Sequence, residues 1–490
     1  MRTAQALTCL LLMMLCGCAQ LPKVQLPMSS PKIDPSLTLY DNQFKGAPAG
    51  KSLIAPATPF SSTLQRQAMG VVPDPVLDSY LNGLLARLQK GIPGEPVPAR
   101  VYISPDTAFT ASSYEDGGIY IPYKVLATLQ SEDELAALIG HEYAHVVLRH
   151  YSTNWVNTAA NLTYSAANIA ISKKIGKATD TNVLGMAVAN EATLGISQVG
   201  IMPALTRDQE NDADRLGVDL MIKAGYSYIG NLDLLSRMQD WDARNEAIAQ
   251  QRKINYINLF SASDKSFLAK AIDGKLDSFE QQIGDFIREK SQHHEKGDDR
   301  AALLRDYLKQ HYRGVDRPPL NTAAYAKIMG SAHAASLFSG VDDAYQSSMA
   351  LQASKPREAL SSAQKASRSA ANQAPFVKHV LINALALNGK AAEARELLER
   401  GISQRDTLFL DNKLMLDVLK DKSPDKALLL AQESYDQFGD YPELYPDLIS
   451  LNKKMKNPIA VMKFYGLCAG KSMSASNNAL LASCNKANKD

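Results

Sequence analysis

Cysteine is scarce in this sequence: five occur among 490 residues, and three of them (Cys9, Cys16, Cys18) crowd the first eighteen. Only Cys468 and Cys484 stand in the rest of the chain, which excludes a disulfide scaffold. An excess of one charge is also lacking. Lys and Arg number 53 against 51 Asp and Glu, a net charge of +2, so no global basic field argues for nucleic acid. Past the N-terminus there is no apolar run of spanning length, which excludes a polytopic membrane protein. A hydrophobic fraction of 45% with 21% charged residues excludes a largely disordered chain. At about 150 residues per domain the length predicts two or three domains.

What is present begins with an address. Arg2 is followed by an apolar run through Leu15, too short to span a bilayer. The run ends in Leu15-Cys16-Gly17-Cys18, which resembles a bacterial lipobox, although Cys16 is a less usual occupant of its slot. Residues 1–17 are therefore expected to be a lipoprotein signal peptide and Cys18 the lipidated residue. Ala19 follows, with no Asp to suggest inner-membrane retention. By that resemblance the protein is expected in the periplasm of a Gram-negative cell, lipid-anchored to the outer membrane. Residues 18–63 are rich in proline and lack apolar periodicity, and read as a tether or extended arm. Globular patterning starts near Leu64, and residues 73–88 have the spacing of an amphipathic helix.

The chemistry is concentrated between Ile119 and Gly225. Ser131 and Glu134 form an S-x-x-E capping signature ahead of an apolar-periodic run. The helix it predicts carries His141-Glu142-x-x-His145, in which both imidazoles project from one face. Two neutral nitrogens at that separation suit one Zn²⁺, and Glu142 is placed to act as the general base on a water. A third ligand is needed. His150 is one residue short of the metzincin slot and, on an unbroken helix, would lie about 140° from His145. It reads as a support to the ligands or a structural residue. The segment Thr206–Gly217 offers Glu210 as third ligand, with Asp214 one turn on to orient a ligand histidine. Taken alone, that acidic pair reads more readily as a solvated helix face.

Together, Gly117-Gly-Ile-Tyr, the E-L-A-A-L-I-G-H-E-x-x-H-x-x-x-R-H run and R-x-x-E-x-x-A-D-R-L-G resemble the HtpX-like and CAAX-prenyl-protease metallopeptidases. The resemblance covers about residues 65–310. It implies a gluzincin-type domain binding one Zn²⁺ per chain through His141, His145 and Glu210, with Glu142 catalytic and Asp214 supporting. Relatives often carry Asn-Ala-Phe-Ala-x-Pro-Gly-Gly before the glycine pair, whereas here residues 107–118 are recognisable but longer. An edge strand there would pair an extended peptide through its main chain. Relatives also carry a His-Pro pair with an Arg six residues after the His. His294 and Arg300 have that spacing, with Glu295 in place of Pro, and are candidate regulatory or oxyanion residues.

From about residue 320 the pattern becomes almost wholly helical. Ala359, Ala394, Ala427 and Ala460 recur at spacings of 35, 33 and 33 in four similar segments, close to the tetratricopeptide period of about 34. Cys468 and Cys484 fall near the end and are a candidate disulfide. The expected fold is mainly α (α+β): a zinc peptidase domain with a small edge sheet over residues 64–315, then an all-α tetratricopeptide solenoid over 320–490. That architecture resembles a periplasmic branch of the family. It implies a zinc metalloendopeptidase in quality control of outer-membrane proteins, with misfolded or stalled outer-membrane proteins as substrates and the outer-membrane β-barrel assembly machinery as a partner through the repeats. The competing expectation is a repeat-based periplasmic adaptor or chaperone with weak or latent proteolysis.

Overall fold

The computed structural model describes residues 69–114, 116–150, 205–262, 297–353, 355–439, 441–474 and 478–489. Cys18, the tether, the long stretch between the two candidate ligand motifs and His294 lie outside these residues. Helix α1 (Pro75–Gln89) starts where Asp74 accepts the Leu77 N–H at 2.8 Å, with proline in its first turn. It buries Leu77, Leu81, Leu84, Leu85 and Leu88. A small sheet follows: β1 (Arg100–Ser104), β2 (Ser112–Ser113) and β3 (Gly118–Pro122), in the order β1-β3-β2. β3 is parallel to β1, with Arg100 opposite Gly118, and antiparallel to β2, with Ser112 opposite Tyr120. All five residues of β3 are buried. β2 ends the sheet and stands as an edge strand beside the site described below.

After the short α2 (Tyr123–Thr128) comes the central helix α3 (Glu132–Leu148), buried along nearly its whole length. Even its three first-turn acids are buried, and each has partners. Glu132 takes Arg87 at 2.9 Å, Asp133 takes the backbone N–H of Ser227 at 2.8 Å and of Asn321 at 2.6 Å, and Glu134 takes Arg237 at 2.9 and 3.1 Å. Their charges also lie at the positive end of the helix dipole. The capping box expected at Ser131 is only half formed. Ser131 Oγ accepts the Glu134 N–H at 3.1 Å, but the Glu134 carboxylate turns to the Arg237 guanidinium and the Gln130 N–H instead of Ser131. A charged bidentate partner is stronger than one backbone amide.

Helices α4 (Arg207–Lys223), α5 (Ile229–Ala262) and α6 (Gly297–His311) complete this region. α4 opens with a reciprocal box between Thr206 and Gln209 and ends at Ala224, with Gly225 at φ +80°. Its crossing of α3 is unusually close. A Cβ on Gly217 would stand 3.0 Å from the His141 nitrogen and 3.1 Å from the Gly140 carbonyl carbon. Gly140 and Gly217 thus let two backbones approach where any side chain would hold them apart.

The remaining helices run from α7 (Thr322–Met329) and α8 (Ala332–Gln352) through α9 (Pro356–Ala366), α10 (Pro375–Leu387), α11 (Ala391–Gln404), α12 (Phe409–Leu419), α13 (Pro424–Phe438) and α14 (Tyr445–Lys454) to α15 (Pro458–Ser474) and α16 (Asn478–Lys489). Ala359, Ala394 and Ala427 each occupy the fourth position of a helix and are buried, and Ala460 is packed against the same core in the first turn of α15. Small side chains there let successive helices close on one another. Cys468 and Cys484 are disulfide-bonded and join α15 to α16. Among the described residues no helix is long and apolar enough to cross a membrane.

Candidate metal centre

α3 and α4 bring three residues of suitable chemistry to one point. Ligand atoms of His141, His145 and Glu210 all lie within 4.8 Å of one another, and all three residues are buried. His141 Nε2 is 3.1 Å from His145 Nε2 and 3.5 Å from Glu210 Oε2, and His145 Nε2 is 3.6 Å from Glu210 Oε1. Ligand atoms around a tetrahedral Zn²⁺ with bonds of 2.0–2.1 Å stand about 3.3 Å apart. The donor set and its spacing therefore fit such an ion. The surrounding charge fits as well. Glu142, Glu210 and Asp214 are all buried here, and the buried Arg300 guanidinium contacts Asp214 and Glu210. Buried carboxylates gathered around the donor atoms favour a cation at that point.

Each candidate ligand is steered by a neighbour. His141 Nδ1 meets Asp214 Oδ1 at 2.9 Å, which aims Nε2 at the centre. Arg300 holds both Asp214 oxygens, at 2.8 and 2.7 Å, and reaches Glu210 at 3.2 Å. Arg300 is 2% exposed, so its guanidinium belongs to this carboxylate network. His150 arrives by a route that helix geometry does not foresee. α3 stops at Leu148, and Arg149 takes the left-handed conformation at φ 55°. That turn folds His150 back, and its Nδ1 lies 2.7 Å from His145 Nδ1. The angle of an unbroken helix does not apply past the cap. Gln209 then secures the turn by donating to the His150 carbonyl at 3.1 Å.

Electrostatics follow from burial opposed by these partners. Burial pushes His141 down, but the Asp214 and Glu210 carboxylates outweigh it and raise the imidazole to about 10. Burial holds His145 well below its ordinary value, with charge on His141 adding to the effect. Burial lowers His150 to about 4. Asp214 is pushed up by burial, yet Arg300 overrides this and brings it to about 2. Asp214 and Glu210 thus favour the charged form of His141, whereas burial favours the neutral form of His145.

Two further contributors stand outside the donor set. Ser113 of the edge strand β2 donates to Glu142 Oε2 at 2.8 Å, with both residues buried. The strand thereby fixes the carboxylate beside the donor cluster. The glycine pair at 140 and 217 was visible only as glycines inside helical patterns, a signal of close approach.

Residues 76–263 match Peptidase family M48. This segment is an M48 peptidase domain. The beta-barrel assembly-enhancing protease of Escherichia coli K12 is 26% identical over 168 residues, 33% of each chain. A Vibrio cholerae protein provisionally given the same name is 29% identical over 175 residues, 36% of this chain and 35% of that one. Metalloprotease YcaL of E. coli K12 is 28% identical over 155 residues, 31% of this chain and 56% of its own length. The chain spans about a third of the length of the two assembly-enhancing proteins. The matched segment runs from the second residue of α1 to just past the end of α5, and holds His141, Glu142, His145, Glu210 and Asp214. Arg300 reaches that cluster from α6, beyond the matched segment.

Proposed function

We propose that the chain is a zinc metalloendopeptidase of the bacterial cell envelope acting on outer-membrane proteins. The observation that carries this reading is the convergence of His141, His145 and Glu210 with Glu142 beside them. Zinc held by those three residues supplies a Lewis acid that polarises a peptide carbonyl and acidifies water. Glu142 takes the proton of the attacking water and passes it to the leaving amine. Ser113 keeps the Glu142 carboxylate in place, Asp214 and Arg300 orient His141 and Glu210, and His150 fixes the tautomer of His145. The edge strand β2 offers its main chain to an extended substrate, a recognition that tolerates varied sequence.

The envelope assignment draws on the lipobox-like Cys18 and on the names of the assembly-enhancing relatives. The three buried alanines at matching helix positions, with Ala460 in the first turn of α15, support a tetratricopeptide array, whose concave side suits an unfolded outer-membrane protein or the β-barrel assembly machinery. The test is metal content measured together with peptide hydrolysis. Glu142→Gln is expected to keep its zinc and lose hydrolysis by about 10²- to 10⁴-fold, whereas His141→Ala loses both. Normal cleavage by Glu142→Gln would overturn Glu142 as the base, and absence of cleavage by the parent protein would return the chain to the adaptor reading.

A further inference from the structure

The last helix pair carries an open face of unusual composition. α15 packs against α14 and α16, and Cys468 on its inner side is bonded to Cys484. The opposite side presents Ile459, Met462, Lys463, Gly466, Gly470 and Met473, all exposed. At 100° per residue these six positions fall within about 100° of arc. Ile459, Met462 and Met473 are 76%, 67% and 72% exposed. Among the described residues nothing lies within 4 Å of where a Cβ would stand on Gly466 or Gly470. With Met455, this face holds half of the large apolar side chains exposed among the described residues. The outer face at the end of a helix stack is ordinarily polar, because solubility requires it.

Charge is concentrated in the same place. Residues 453–490 contain seven lysines and one acidic residue, Asp490. The whole chain is only +2, so everything before them is net acidic. Lys453 and Lys454 are tied to the carbonyls of Asn488 and Lys420. Lys456 stands exposed on the turn into α15, and the Lys463 ammonium lies 5.1 Å from the Phe464 ring. Protruding Ile and Met therefore sit among cationic tips.

We propose that this face of α15 is a docking surface for anionic phospholipid. Ile459, Met462 and Met473 reach the boundary between headgroups and acyl chains, while Lys456 and Lys463 meet lipid phosphates. A convex helix face, smooth at Gly466 and Gly470, suits a plane better than an extended peptide. A second copy packed on the same face would set Lys463 against Lys463. The contact is independent of any lipid on Cys18 and of the peptidase reading.

The experiment uses the full chain carrying Cys18→Ser, so that no attached lipid contributes. Vesicles of phosphatidylethanolamine with phosphatidylglycerol are compared with phosphatidylcholine vesicles by flotation at low and high salt. Binding is expected only to the phosphatidylglycerol vesicles and is expected to fall with salt. The pair Lys456→Glu/Lys463→Glu lowers it by about tenfold or more, and Ile459→Ser/Met462→Gln weakens it independently. All four side chains are exposed, so melting temperature and cleavage of a soluble peptide stay unchanged. Absence of binding to anionic vesicles overturns the proposal, as does binding that either variant pair leaves intact. A concentration-dependent dimer abolished by the same variants would assign the face to a second copy instead.

Discussion

The metal centre and the helical array both bury polar side chains, but they arrange them in opposite ways. In the array the groups close on one another. His379 meets Asp411 at 2.7 Å, Asn412 meets Ser434 at 3.1 Å, and Lys413 lies between Asp417 and Asp447 at 2.7 and 3.0 Å. Charge is neutralised locally and the helices are held in register. At the centre the donors of α3 and α4 converge on a common point instead, and Arg300 is shared by Asp214 and Glu210. Buried polarity that closes is a fastener, whereas buried polarity whose ligand atoms converge on one point suits an ion.

The comparison is broken most severely by moving the two helices apart. Gly217→Ala places a methyl group against the backbone of Gly140 and His141. Metal affinity is expected to fall by about 10- to 100-fold, as it does when ligand support is lost, while helix content by circular dichroism stays near that of the parent. Undiminished zinc affinity would show that the close crossing does not build the site. Ser113→Ala sharpens the picture with a smaller effect. It removes one hold on the Glu142 carboxylate, so kcat should drop about tenfold with KM little changed, and Ser113→Thr should restore it. A change confined to KM would place Ser113 in substrate binding.

The next effect is a titration. His141 without metal is raised to about 10 by Asp214 and Glu210 against burial, so zinc must displace a proton. Calorimetry in buffers of different ionisation enthalpy should find about one proton released per zinc at pH 8. The sign also fixes the stability of the metal-free protein. The contribution of protonated His141 is fully present below the ordinary histidine value and is lost as pH rises towards about 10. No proton release would mean that the carboxylates do not hold His141 charged. Least of all should the fasteners matter to chemistry. His379→Ala removes one side of a buried pair and should cost about 2 kcal/mol of stability, read by denaturant unfolding, with peptide cleavage at low temperature unchanged.

The sequence revealed whatever followed a local rule. Histidines one turn apart, an acidic pair one turn apart and alanines recurring at helix starts depend on spacing alone, and spacing is visible. What depended on the chain leaving a rule was not legible. His150 was placed by helix angle, but Arg149 turns left-handed and brings it to His145. The Ser131 box was read as closed, but Arg237, 103 residues from Glu134, takes the carboxylate away. Ser113 meets Glu142 across 29 residues of chain, from a strand of only two residues. Such contacts are set by packing, which a single sequence does not record.

Asn321 ties these regions together at the first turn of α3. Its backbone carbonyl accepts the Glu132 N–H, and its own N–H and side-chain amide donate to Asp133. Tyr325 adds a bond to the Leu126 carbonyl, and Asp342 accepts from Tyr123. The peptidase domain and the array are consequently not interchangeable cassettes. A peptidase cut free at residue 315 would lose the partners that finish its catalytic helix. A foreign array grafted there would have to supply a main-chain N–H and C=O at the place of Asn321, a hydroxyl for the Leu126 carbonyl and a carboxylate for Tyr123.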